Sequence, residues 1–153
     1  KMSVLPVSNR KNPAAFLKFA EQYGSEDLMR RMFVLDALIL NIDRHLGNVG
    51  FLFDNDTMQI TGMAPVYDNN RSLLFDMDID QLKNTDWCIG TCTPRFGTDF
   101  ISTARGMLTD NISQDLEALR DFCFEQHPEI KAEEARLDAL STIVREQVKR
   151  ILD

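Results

Sequence analysis

The chain predicts a mainly α-helical domain that carries one small β-hairpin. Three observations predict this class. Residues 32–40 are apolar almost all round, and a helix without a wet face is the buried one at the centre of a domain. Two short β-prone runs, "VGFLF" (49–53) and "MQITGM" (58–63), flank the turn-forming "DNDT". Towards the C-terminus Leu137, Leu140, Val144, Val148 and Ile151 recur at spacings of three and four, the stripe of an amphipathic helix.

Along the chain, "KMSVLPVSNRKN" (1–12) is polar, broken by a proline, and reads as a loop or a packed arm. Asn12 before Pro13 marks a helix start, since proline suits the first helical position. Phe16, Leu17, Phe19 and Ala20 give that helix an apolar face, and Gly24 stops it. Ser25 is expected to cap a second helix reaching about residue 41, with Glu26 and Asp27 in its first turn. A polar loop, the hairpin and an Asp-containing loop follow. Residues 76–97 show little periodicity, and helices are expected at 99–108, 113–126 and 128–152. Phe122 and Phe124 read as core or near-core residues, and His127 as a structural histidine. No internal repeat or low-complexity segment is present.

The bulk properties exclude several function classes. At 153 residues the chain fits a single domain, 1–153, with a sizeable core. Its net charge of −7 offers no general attraction to nucleic acid or anionic lipid, so neither is expected as a direct partner. No apolar run is long enough to span a bilayer, and no signal-peptide pattern opens the chain. Cys88, Cys92 and Cys123 cannot all pair, which fits a reducing cytoplasm. Cys88 and Cys92 lack the further cysteines or histidines of a four-ligand zinc site.

The informative stretch is "NIDRHLGN" (41–48), which separates two apolar runs. Asp43 and Asn48 stand five positions apart, and Asp68 ends "PVYD" just after the hairpin. Taken alone, Asp43 and Asn48 are explained by turn and cap chemistry. Joined by His45 and Asp68, they supply what phosphoryl transfer from ATP requires: a carboxylate to orient an attacking hydroxyl, and oxygen ligands for Mg²⁺. The run Asp76, Asp78, Asp80 starts like a calcium-binding EF-hand loop, but Gln81 and Trp87 stand where Gly and Glu are needed. It reads as a solvated acidic segment.

This pattern, "NIDRHLGN", hairpin, then "PVYD", resembles the catalytic centre of HipA-type serine/threonine kinases, whose motif is Asp-x-His-x-x-Asn followed by a metal-binding Asp. The resemblance covers residues 30–75 most strongly. It implies the helical C-lobe of a protein-kinase-like fold, with a catalytic loop at 43–48, the hairpin at about 49–63, a metal-binding loop at 64–72 and a helical remainder at about 98–152. It implies a catalytic set of Asp43, His45 and Asn48, with Asp43 as the base. Asn48 and Asp68 would bind Mg²⁺ and, through it, ATP as phosphoryl donor. His45 would support the loop or approach the phosphates. Arg44 would neutralise charge in the cleft or point into solvent.

The sequence holds no Gly-rich phosphate loop and no identifiable strand-borne lysine, and too little chain precedes the buried helix for a five-stranded N-lobe. It starts at Lys1 rather than Met, as a fragment or processed product would. The expectation is therefore a C-lobe, inactive without its N-lobe, acting on a protein substrate. A kinase-shaped binding or regulatory module is the other reading. A toxin–antitoxin or phage-linked role with an antitoxin-like protein partner is a third, because HipA-type proteins are often encoded beside such partners. A lipid substrate, suggested by the Asp-Arg-His order, lacks a basic or amphipathic membrane-binding segment to support it.

Overall fold

The computed structural model describes residues 11–153. The expected arm at 1–12 lies, for residues 1–10, outside that range. The structure is mostly helical, with a single two-stranded antiparallel sheet among the described residues.

Helix α1 (Pro13–Glu21) begins as its sequence dictates. Asn12 Oδ1 accepts the Ala14 N–H at 3.0 Å, and Pro13 occupies the first turn. Gly24 takes φ +62°, and the Ser25 N–H closes onto the Ala20 carbonyl, so the chain leaves α1 through a left-handed turn.

Helix α2 (Glu26–Leu38) has its acids, Glu26 and Asp27, in the first turn, but Ser25 does not cap it. The Ser25 hydroxyl instead donates to Tyr23 O and accepts the Met63 N–H at 2.8 Å, tying the start of α2 to the hairpin. Met29, Met32, Phe33, Val34, Ala37 and Leu38 are buried, and α2 packs against α1 and two later helices, Phe100–Arg105 and Glu134–Leu152. It stops short of residue 41. The Ile39 carbonyl leaves the helical pattern to accept the Leu73 N–H at 2.7 Å, and Leu40 turns to φ +51°.

The hairpin pairs β1 (Phe51–Phe53) with β2 (Ile60–Met63), Phe51 facing Met63 and Leu52 facing Gly62, with an irregularity between Leu52 and Phe53. Asp54 Oδ1 gathers the N–H groups of Asp56 and Thr57 and holds the turn.

Two helices occupy the stretch expected to be irregular, α3 (Ile79–Leu82) and α4 (Thr85–Thr91). Asp78 and Gln81 form a reciprocal capping box on α3, and Asn84 caps α4. Asp76, Asp78 and Asp80 are all exposed. Helix α5 (Phe100–Arg105) is capped by Asp99, and α6 (Asp110–Glu117) by Thr109 rather than starting at 113. Helix α7 (Glu134–Leu152) starts later than 128. Between α6 and α7, side chains replace helical bonds. Ser141 Oγ accepts the Phe124 N–H, Arg145 donates to the Phe122 carbonyl, and His127 Nδ1 accepts the N–H groups of Glu129 and Ile130.

The α7 stripe is spent inside the molecule. Leu140, Val144, Val148 and Ile151 are buried, and α7 packs against α2, α3, α4, α5 and α6. Gln147 Nε2 donates to the Ala37 carbonyl at 2.7 Å within that interface. Among the described residues no helix is long and apolar enough to cross a membrane.

Candidate functional site

The end of α2 is built to hold the loop that follows it. Asp36, on an otherwise apolar stretch of the helix, is buried and faces Arg44. Arg44 is only 2% exposed. Its guanidinium donates to both Asp36 oxygens (2.8 and 2.9 Å), to the Tyr67 carbonyl (2.7 Å), to the Asn48 carbonyl (3.3 Å) and to Asn69 Oδ1. Arg44 thus neither enters solvent nor sits free in a cleft, as the sequence suggested. It is the post to which α2, the 43–48 loop and the Asp68 loop are fastened. Burial pushes the Asp36 carboxyl above the ordinary aspartate range, while Arg44 and Asn41 pull it back.

Asn41 extends this network: its Nδ2 donates to Asp36 Oδ1 at 3.0 Å, and its Oδ1 accepts the Asp43 N–H at 3.0 Å. Next comes a single 3-10 turn, Leu46–Asn48, capped by His45. His45 Nδ1 accepts the Gly47 N–H at 2.9 Å, and Asn48 Oδ1 returns to accept the His45 N–H at 2.8 Å. Here His45 supports the loop. A Cβ on Gly47 would lie 2.8 Å from the imidazole, so glycine is what lets the ring close over the turn.

Two backbone bridges then bring the Asp68 loop against this turn: Leu73 N–H to Ile39 O, and Ile42 N–H to Arg71 O at 3.3 Å. The approach forces Leu40, Asp68, Leu73 and Leu74 into left-handed backbone conformations (φ +51° to +57°), each costing a bulky residue about 1–2 kcal/mol. Burial of Leu40 and Leu74 offsets that strain. Asp68 tolerates the conformation better, as aspartate generally does.

The result gathers three of the sequence-derived residues. Buried Asn48 lies with Nδ2 3.2 Å from the Asp43 carbonyl and 3.5 Å from Asp68 Oδ2. The Asp43 side chain is 19% exposed, and Arg95 Nη2 stands 2.5 Å from its Oδ1. That ion pair falls outside hydrogen-bonding angles, so Asp43 Oδ1 is buried without a hydrogen-bond partner. Asp68 is exposed.

No protein-family model matches the chain, and no curated protein matches it. By structure it is similar to a proinflammatory kinase of Helicobacter pylori, CtkA. The TM-score is 0.60 and the identity 18%, over 100% of this chain and 65% of that one. The fold is kinase-like. The chain spans 65% of that kinase's length, and at this identity the likeness concerns the fold alone.

Among the described residues no three His, Cys, Asp or Glu side chains cluster as a self-sufficient metal site. Asn48 turns its Nδ2 toward Asp68 Oδ2, 3.5 Å away, and its Oδ1 toward the His45 N–H, so the amide presents a donor rather than an oxygen ligand to the Asp68 carboxylate.

Sequence reasoning missed Asp36, Asn69 and Arg95. A signal existed for the first: an acid within an apolar helix, followed eight residues later by an arginine, is a buried pair in waiting. Asn69 and Arg95 sit in segments without periodicity or motif.

Proposed function

We propose that this chain is the catalytic helical lobe of an ATP- and Mg²⁺-dependent serine/threonine phosphotransferase of HipA-like type. The observation that carries the reading is the Asn48 amide, whose Nδ2 lies between the Asp43 backbone carbonyl and the Asp68 carboxylate, on a kinase-like fold. Asp43 is the base: it orients the acceptor hydroxyl and takes its proton as that oxygen bonds to the terminal phosphorus of ATP. The bond from that phosphorus to its bridging oxygen breaks, and ADP leaves. Asn48 and Asp68 would hold Mg²⁺, the Asn48 amide turning its Oδ1 to Asp68 in place of the Nδ2 that faces it in this structure, and the ion would supply positive charge against the phosphates. His45 and Arg44 keep these groups in place. Cover for the phosphates and a lysine directed at them belong to a further lobe.

The test is label transfer from γ-labelled ATP in the presence of Mg²⁺, using the full-length protein beside Asp43→Ala. Transfer that falls by a factor of about 10² or more in the variant is expected, the scale for losing a positioned acid–base group. A folded full-length protein that neither binds Mg-ATP nor transfers label would instead be a kinase-shaped binding module. The Arg95–Asp43 ion pair, which occupies the proposed base, is the observation that favours that second reading.

A further inference from the structure

Beside Asp43 lies a cavity that the reading above leaves without a task. It measures about 500 Å³ and opens between the loop after Asp68 and the segment after α4. Ile42, next to Asp43 in the chain, and Arg95, which contacts the Asp43 carboxylate, both line it, so the cavity lies beside the proposed base. Buried Leu40 and Leu74 form an apolar floor. Its charged lining residues are two cations, Arg71 and Arg95, and one anion, Asp76. In a chain of net charge −7 this is a local reversal of sign.

Both arginines are available to a ligand. Arg71 is exposed, its guanidinium resting 5.2 Å from the centroid of the Phe75 ring, and among the described residues it forms no ion pair. The Arg95 side chain is 51% exposed, and its contact with Asp43 lacks hydrogen-bond geometry. A guanidinium so placed exchanges readily for a carboxylate that it can grip with two parallel N–H bonds.

We propose, resting on the phosphotransferase reading, that this cavity seats the acceptor segment and selects one carrying an Asp or Glu close to the accepting hydroxyl. The acceptor's carboxylate pairs with Arg71 and Arg95. In doing so it draws Arg95 away from Asp43 Oδ1 and frees that oxygen for the hydroxyl. A neutral segment would have to separate Arg95 from Asp43 without replacing the pair, and a basic one would meet two like charges.

Two readouts test this on the full-length protein. The probes are fluorescein-labelled peptide pools centred on Ser or Thr, flanked by Asp and Glu, by Asn and Gln, or by Lys. Anisotropy gives affinity without turnover, and label transfer gives kcat/KM. The acidic pool is expected to bind about tenfold tighter than the amide pool, the scale of one charge-assisted pair. Arg71→Glu should abolish that preference and improve binding of the Lys pool, a gain that misfolding cannot produce. Arg95→Gln should narrow the preference in kcat/KM more than in affinity, since Arg95 also bears on Asp43. Equal affinity for the acidic and amide pools overturns the acceptor proposal, even where Asp43-dependent transfer upholds the kinase reading. Acid-selective binding that Arg71→Glu reverses, without any transfer, upholds the cavity's ligand and overturns the phosphotransferase reading alone.

Discussion

Arg44 and Asp36 show how much a single pair decides at this site. Every N–H of the Arg44 guanidinium has an acceptor: Asp36, Asn69, and the carbonyls of Asn48 and Tyr67. Removing either partner leaves a buried charge uncompensated, which costs about 3–5 kcal/mol. The two removals should nevertheless respond differently to pH. In Asp36→Ala the stranded guanidinium keeps its proton throughout, but the parent's own Asp36, held above the ordinary range, loses stability as pH rises, so the Asp36→Ala deficit narrows with rising pH. In Arg44→Met the stranded group is a carboxyl that burial already pushes upward. An acid whose folded pKa lies above its unfolded value binds its proton more tightly when folded. Its penalty is therefore absent below the unfolded value, about 3.9, and grows as pH rises above it. Urea unfolding between pH 4 and 7 should show the Arg44→Met deficit widening relative to the parent and the Asp36→Ala deficit narrowing. Parallel curves would mean that Asp36 is not the stranded charge.

At the scale of elements, caps decide where these short helices lie. Helix α5 spans only Phe100–Arg105, yet it packs against both α2 and α7. Its N-terminus depends on Asp99, whose Oδ1 accepts the Ser102 N–H at 2.7 Å. That backbone hydrogen bond, chiefly, holds the Asp99 carboxyl below the usual aspartate range. The cap's contribution is thus complete above the unfolded pKa and lost as pH falls through the lower folded value. Asp99→Ala should cost about 1 kcal/mol at neutral pH and progressively less in acid, whereas Asp99→Asn should stay close to the parent at neutral pH. Thermal melts at pH 7 and pH 3 check both, and an Asp99→Ala deficit unchanged at pH 3 would contradict the assignment. The same logic explains which elements were legible. Asn12-Pro13, Gly24 and the α7 stripe state their structure locally, as do the two β-prone runs around "DNDT" that gave the hairpin. Helices α3 and α4 are too short to show a period, and only their caps, Asp78 with Gln81 and Asn84, betray them. The missed gap between α6 and α7 has a tertiary cause. Helix-compatible sequence at 118–133 is diverted because Ser141 and Arg145 satisfy its backbone from outside. For the candidate site, the sequence marked Asn48 and Asp68 as one set across the hairpin, and the fold brings the Asn48 amide to 3.5 Å from Asp68 Oδ2. Arg95 was not legible, since only folding carries it to Asp43.

Across the whole molecule, the site is steadied by the helix furthest from it in sequence. Arg136, in the first turns of α7, donates to the Leu74 carbonyl at 3.0 Å and the Met77 carbonyl at 2.7 Å. These bonds reach back 62 and 59 residues to the far end of the loop that begins at Asp68. That loop stores left-handed strain at Asp68, Leu73 and Leu74, and strained backbone persists only where its surroundings over-determine it. Arg44 fastens one end of it and Arg136 the other. Arg136→Ala should therefore loosen the loop well before it unfolds the protein. Two charge-assisted bonds to partly buried carbonyls are lost, at about 1.5–3 kcal/mol each at most and less with the solvent access they have. Native-state hydrogen exchange reads the effect directly. The Leu73 amide, bonded to Ile39 O, and the Met77 amide, bonded to Leu74 O, should exchange at least about tenfold faster, a local opening of reduced free energy. Amides in the middle of α2 and α7 should hold their rates. If all of these amides accelerate by one common factor, Arg136 contributes only to global stability and the loop has no separate anchor. If the loop amides alone accelerate, weakened Mg-ATP binding in the same variant would tie the distant helix to the site through the position of Asp68.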